Sequence, residues 1–171
     1  RKTVHGPVIS DIHPLLKNGD RVLSMSLTGH WITNEMDAWV KMTTMKNWKD
    51  FSDAARNFGV PGQNIVYADI NGNIGWRPAV FIPKREEGFS MVPRPGDDPK
   101  YDWRGKIPFE KMPFLYNPEE GFISTANNRT IDDNFPYYIS GLWADPSRAD
   151  RIKELLGKPT LNKMADMEKI Q

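Results

Sequence analysis

The chain has 171 residues with 39% hydrophobic and 26% charged side chains, the length and balance of one ordinary globular domain. Its 23 basic and 22 acidic side chains leave a net charge of +1, so nothing points to nucleic acid or another polyanion as partner. The absence of cysteine excludes disulfides, thiolate zinc sites and a cysteine nucleophile, and no run of about eighteen apolar residues is present to span a membrane as a helix.

Thr3 to Ser10 reads as a strand interrupted at Gly6-Pro7, and Arg21 to Thr28 alternates in the manner of a second. With Asn18-Gly19-Asp20 between them, the two runs are expected to lie antiparallel. From Asn34 to Phe58 the period becomes helical. Met36, Trp39, Val40 and Thr43 recur at helical spacing, and Asn47 with Asp50 three positions on reads as the cap of a second helix toward Ala54, Ala55 and Phe58. Gly59 and Pro61 stop it.

Gln63 to Val80 carries a hairpin signal, two apolar runs flanking Asn71-Gly72, which favours a type I′ turn. The string Asp69-Ile70-Asn71-Gly72-Asn73 also resembles half of a calcium loop, but no glutamate comes at the spacing of a bidentate ligand, and the turn is the stronger reading. Residues 83–120 are proline-rich. Tyr101, Trp103, Phe109, Phe114 and Tyr116 argue for an ordered excursion pinned by aromatics rather than for disorder. Phe122 to Ala126 reads as a short strand, Asp145-Pro146 opens a helix to Leu156 closed by Gly157 and Pro159, and a last helix begins near Asn162. The expected organisation is therefore strands, helix pair and Asn-Gly hairpin over 1–82, the proline and aromatic excursion over 83–120, and a strand with C-terminal helices over 121–171. A start without Met and a stop inside an amphipathic pattern at Met167 to Gln171 are what a processed product or a cut fragment would have.

Few residue patterns carry chemistry. His5, His13 and His30 make no zinc-binding pair, and Gly-x-Ser-x-Gly and glycine-rich phosphate loops are absent. Asp132-Asp133 and Glu86-Glu87 fall in polar stretches where solvated charge is the default. Asn127-Asn128-Arg129-Thr130 admits three readings: a local turn, a glycosylation acceptor at Asn128, or amides placed to donate to a developing oxyanion. On spacing alone the turn is favoured.

Several stretches together say more. Arg1 to Pro7, Lys46-Asn47-Trp48-Lys49-Asp50-Phe51, Gln63 to Gly75, Tyr101-Asp102-Trp103-Arg104-Gly105, Tyr116-Asn117-Pro118 and Thr125-Ala126-Asn127-Asn128 occur in an order that closely resembles the β chain of penicillin acylases (penicillin amidases), from end to end. The resemblance implies an α+β chain, part of the αββα fold of N-terminal nucleophile hydrolases, with antiparallel strands, hairpins and packed helices. It implies an enzyme that cleaves an acyl–amide bond of penicillin, cephalosporin or N-acyl-homoserine-lactone type, through a serine exposed by self-cleavage and an acyl-enzyme. Matched to the family motif, Asn127 looks like the oxyanion-hole asparagine and Arg148 like the arginine that orders the nucleophile's surroundings, with Asn128 and Arg129 as supporting neighbours. The family's nucleophile lies upstream of the motif at Arg1, so Ser10, Ser24 and Ser26 are not assigned that role, and this polypeptide alone is expected to be inactive.

The resemblance further implies partnership with the remainder of the β chain and the α chain of one precursor, a small-molecule amide substrate, and export to the periplasm or beyond. No cofactor is required. A structural calcium belongs, where present, to the whole enzyme, with ligands largely from other segments and from the loop near Ser90. The rival reading is a non-catalytic binding module that docks an extended ligand on the aromatic loop 101–116.

Overall fold

The run from Thr3 to Ser10 reverses on itself rather than extending. In the computed structural model, which describes residues 1–14, 16–17, 19–86, 92–157 and 163–170, β1 (Lys2–Thr3) pairs antiparallel with β2 (Gly6–Pro7). The reversal is local chemistry. Thr3 Oγ1 donates to the Gly6 carbonyl at 3.0 Å and accepts from His5 N at 3.2 Å, while Gly6 sits at φ 123°, a conformation open to a residue without Cβ. The segment 21–28 does lie antiparallel to residues 7–9, through Ile9 N to Leu23 O at 2.8 Å and Met25 N to Pro7 O at 3.0 Å. It forms only an isolated bridge, Val8 with Ser24, and no strand. Of the linking turn, Asn18 lies outside the described residues.

Two helices come next. In α1 (Glu35–Thr43) the Asn34 side chain caps Asp37 N at 3.0 Å; in α2 (Trp48–Ala55) Asn47 Oδ1 accepts from Asp50 N at 2.9 Å and Asp50 Oδ2 accepts from Lys46 N at 3.0 Å, a reciprocal cap. The face expected to turn inward on α1 turns outward: Met36 and Val40 are exposed and Ala38 is buried, with Met42 packed below it. The helices meet through small residues, because Ala38 and Ala55, each at 0% exposure, let the backbones approach. Glu35 ties the pair to the next loop, accepting from Gly59 N at 3.1 Å and Val60 N at 3.0 Å.

β3 (Gln63–Ala68) and β4 (Ile74–Ala79) form the expected hairpin, Gln63 opposite Ala79 and Ala68 opposite Ile74. The turn is not type I′, since Gly72 has positive φ (83°) and Asn71 does not. Asp69 explains the difference. Its carboxylate accepts from Asn71 N at 2.9 Å and Asn73 N at 3.0 Å, which fixes a turn one residue earlier, closed by Gly72 N to Asp69 O at 3.1 Å, and leaves Gly72 as the left-handed residue. Tyr67 Oη and Asn73 Nδ2 complete the carboxylate's shell, each at 2.8 Å.

One face of the hairpin packs on α2. Trp48 lies against Gly75, Phe51 at 1% exposure stacks 5.4 Å from Trp48, and Arg77 Nε donates to Ser52 Oγ at 3.1 Å. Burying a side chain of Phe51's size contributes about 2–3 kcal/mol relative to exposure. The excursion returns to this sheet: 82–84 pairs with 104–107, and β5 (Leu115–Tyr116) adds to β4, giving the order β3-β4-β5. Its aromatics pack on the chain itself, Trp103 5.7 Å from Trp31, Tyr116 4.9 Å from Trp48, and Phe109 and Phe114 on either side of Arg77.

No strand forms over 122–126. The backbone of Ala126 is served by side chains instead, its N–H by Asn128 and its carbonyl by Arg148. Then come α3 (Ser147–Leu156), started by Asp145 accepting from Ser147 N at 2.9 Å, and α4 (Met164–Ile170). Gly157 ends α3 as expected, whereas Pro159 and Asn162 lie outside the described residues.

Candidate active site

Asn127 sits beside buried Ala126 with φ 60°, a left-handed conformation that asparagine tolerates better than most residues. Ala144 N donates to the Asn127 carbonyl at 2.9 Å, which ties this turn to the segment leading into α3. The helix is seated by Ala149, 2% exposed, and one position earlier Arg148 projects toward the turn. Its Nη2 donates to the Ala126 carbonyl at 2.7 Å and to Asn127 Oδ1 at 2.9 Å.

That pair of bonds orients the carboxamide. A guanidinium only donates, so it holds the oxygen of Asn127, and the amide nitrogen must face the other way. Among the described residues nothing accepts from Nδ2, and the side chain is exposed. The arrangement offers two N–H donors whose direction is set by a fixed cation, and it adjoins a cavity of about 400 Å³ lined in part by Asn64, Met112, Asn127, Leu142 and Trp143.

Asn128 has a different employment. Its Oδ1 accepts from Ala126 N at 3.0 Å and its Nδ2 donates to the Arg129 carbonyl at 3.0 Å, so it shapes the turn from beneath. Arg129 does not reach Asn127. It donates to the Asp132 carbonyl at 3.2 Å and pairs with Asp133 at 2.7 Å, steadying the adjoining loop. The family resemblance gave Asn127 and Arg148 separate roles, and the structure brings the two side chains together, whereas the sequence alone linked neither to the other. It gave no sign of the Ala126 carbonyl, the Ala144 N–H or the packing of Ala149, because main-chain acceptors and a small residue on one face of α3 leave no pattern in composition or spacing.

The other candidates have structural occupations. Ser10 Oγ accepts from Leu23 N at 3.1 Å, and Ser26 Oγ donates to the His5 carbonyl at 2.7 Å. His5 Nε2 meets the Gly96 carbonyl at 2.9 Å. The described residues do not fit a calcium site: no three His, Asp or Glu side chains converge, Asp133 is paired with Arg129, Asp132 Oδ1 accepts from Asn134 N, and Ser90 lies outside the described residues. The aromatic loop offers little as a docking strip, since its rings pack on Trp31, Trp48 and Arg77. No helix among the described residues is long and apolar enough to cross a membrane.

Comparison with known proteins identifies the family. The family model described as penicillin amidase matches residues 1–171. The acyl-homoserine lactone acylase QuiP of Pseudomonas fluorescens is 30% identical over 91% of this chain and 19% of its own length. The penicillin acylase 2 proenzyme of a Pseudomonas species is 34% identical over 91% of this chain and 20% of its own length. Among solved structures, the thermostable penicillin G acylase of Alcaligenes faecalis superposes with a TM-score of 0.75 at 27% identity, over 99% of this chain and 30% of that one. The chain thus spans about a fifth of the length of the curated relatives it matches.

Proposed function

The chain belongs to the penicillin amidase family, and on that premise we propose that it supplies the oxyanion-stabilising amide of an enzyme that hydrolyses acyl–amide bonds. The observation that carries this reading is the carboxamide of Asn127, its oxygen held 2.9 Å from Arg148 and its nitrogen left to donate.

In the proposed reaction a serine outside these 171 residues, exposed at a chain terminus by self-cleavage, attacks the substrate carbonyl while its own amino group takes the proton. The C–O bond forms and the carbonyl π electrons move onto oxygen, where Asn127 Nδ2–H donates to the developing charge. Collapse passes that proton to the nitrogen, breaks the C–N bond, expels the amine and leaves an acyl-enzyme, which water then hydrolyses to the free acid and the regenerated serine. A preorganised donor of this kind is worth about 3–4 kcal/mol in the transition state. Arg148 acts through Asn127 as a positioning residue, since without it the amide could turn its oxygen toward the charge.

The substrates proposed are amides of penicillin, cephalosporin or N-acyl-homoserine-lactone type, in keeping with relatives named for penicillin and acyl-homoserine lactones. The partners are the rest of the β chain and the α chain of the same precursor, a reading supported by a relative named as a proenzyme. The location is the periplasm or outside the cell. The test is hydrolysis by the complete protein of a phenylacetyl-anilide and of an N-acyl-homoserine lactone, with the 171-residue chain run alongside. Turnover of at least one substrate by the complete protein and none by the chain alone is expected. No turnover of either by the complete protein, or turnover by the chain alone, contradicts the proposal.

A further inference from the structure

A cavity of about 510 Å³ lies between the N-terminal hairpin and the segment 92–103, with His5, Ser24, Ser26, Arg85, Lys100 and Trp103 in its wall. The carboxylates around it are engaged within the chain. Asp102 stands 3.6 Å from His5 Nδ1, Glu86 3.8 Å from Arg104 Nε, and Asp98 3.3 Å from Lys100 Nζ.

Arg85 has no such partner among the described residues. Its guanidinium lies 5.4 Å from the ring centre of Trp103 and 5.7 Å from that of Tyr138. Its Nε and Nη1 are enclosed without a hydrogen-bond acceptor, and so is the Tyr138 hydroxyl beside it. The ring faces attract the cation but accept no conventional hydrogen bond from it. Desolvation holds the guanidinium below its ordinary pKa, yet arginine remains charged at neutral pH. A half-buried cation with idle donors and no counter-ion among the described residues is costly to keep, and a planar anion beside it would supply the missing charge.

We propose that the Arg85 cavity binds a carboxylate, with Arg85 as its charged partner and Trp103 as an aromatic wall. A carboxylate matches the positive charge of Arg85 and the planar fork of its guanidinium. It has two sources: a free small acid, or an Asp or Glu side chain of the polypeptide itself. The cavity shares no lining residue with the one beside Asn127.

Thermal unfolding of the complete protein with sodium benzoate, against sodium chloride at equal ionic strength, tests this in wild type, Arg85→Gln and Arg85→Lys. A saturable rise in Tm that Arg85→Gln abolishes and Arg85→Lys weakens assigns the site to a free carboxylate. No benzoate effect, with Arg85→Gln lowering Tm by more than about 2 °C and Arg85→Lys recovering most of it, assigns it to a built-in side chain, because removing the cation strands its partner. If Arg85→Gln does not fold, Arg85→Lys alone must shift the half-saturating benzoate concentration or the Tm. A benzoate effect that survives Arg85→Gln, equal losses in both variants without a benzoate effect, or an Arg85→Gln protein as stable as wild type would each overturn the proposal.

Discussion

Asn127 and Asn128 carry the same carboxamide one residue apart, and hydrogen bonding separates them. Both polar ends of Asn128 are bound to the backbone, at 3.0 Å each, whereas Asn127 is held by its oxygen alone and leaves its nitrogen to donate. Composition and spacing could not make this distinction, since either residue could cap the turn; the ordered motifs around the pair selected Asn127. Arg148 lies on another element, too far along the chain for any helical or strand period to connect it with Asn127, so only the structure links the two. If Arg148 acts through Asn127, their effects on turnover are not additive. Arg148→Met should lower kcat of the complete protein by about 10- to 10²-fold, and in an Asn127→Ala background the same change should cost far less, a coupling of about 0.5–3 kcal/mol. Additive losses in the double-mutant cycle would separate the residues.

At the scale of elements, local signals were legible at the Asn47 cap of α2 and at Asp145, which starts α3, whereas the Asn34 cap and the turn set by the Asp69 carboxylate were not read from the sequence. They were not legible where tertiary contacts decide. The stripe of Met36 and Val40 on α1 faces outward because Ala38 permits the closer approach to α2, and at Ala126, the end of the expected strand, the backbone groups go to the side chains of Asn128 and Arg148. Two element-level consequences are measurable. A Cβ at Gly75 would lie closer to Cζ3 of Trp48 than van der Waals contact allows, so Gly75→Ala should destabilise the sheet–helix contact by about 1–3 kcal/mol, read as a lower Tm; an unchanged Tm would mean that Trp48 moves aside freely. Glu35 is held down to a pKa of about 2 from an ordinary 4.5 by the Thr33 hydroxyl and then by the backbone N–H of Val60 and Gly59. A depressed carboxylate pKa stabilises the fold above the unfolded value and loses that contribution as pH falls through the folded one. The Tm advantage of wild type over Glu35→Gln should therefore be full above pH 4.5 and vanish toward pH 2; a pH-independent difference would assign Glu35 no such role.

On the scale of the whole molecule, antiparallel sheets with packed helices match a penicillin G acylase over 99% of this chain, and they are part of the N-terminal nucleophile hydrolase fold. The fold class was legible because several ordered motifs agree end to end; the bare apolar residues, such as Ile32 at 102% and Val4 at 96% exposure, were not, because a sequence pattern marks a face as apolar without saying what covers it. The same holds for catalysis, where the proposed donor sits in this chain and the proposed nucleophile does not. The most direct measurement is therefore kcat of the complete protein with Asn127→Ala, taken with its Tm. A fall of about 10²- to 10³-fold at unchanged Tm is the predicted result, and an unchanged kcat would contradict the assignment of Asn127 as the oxyanion donor.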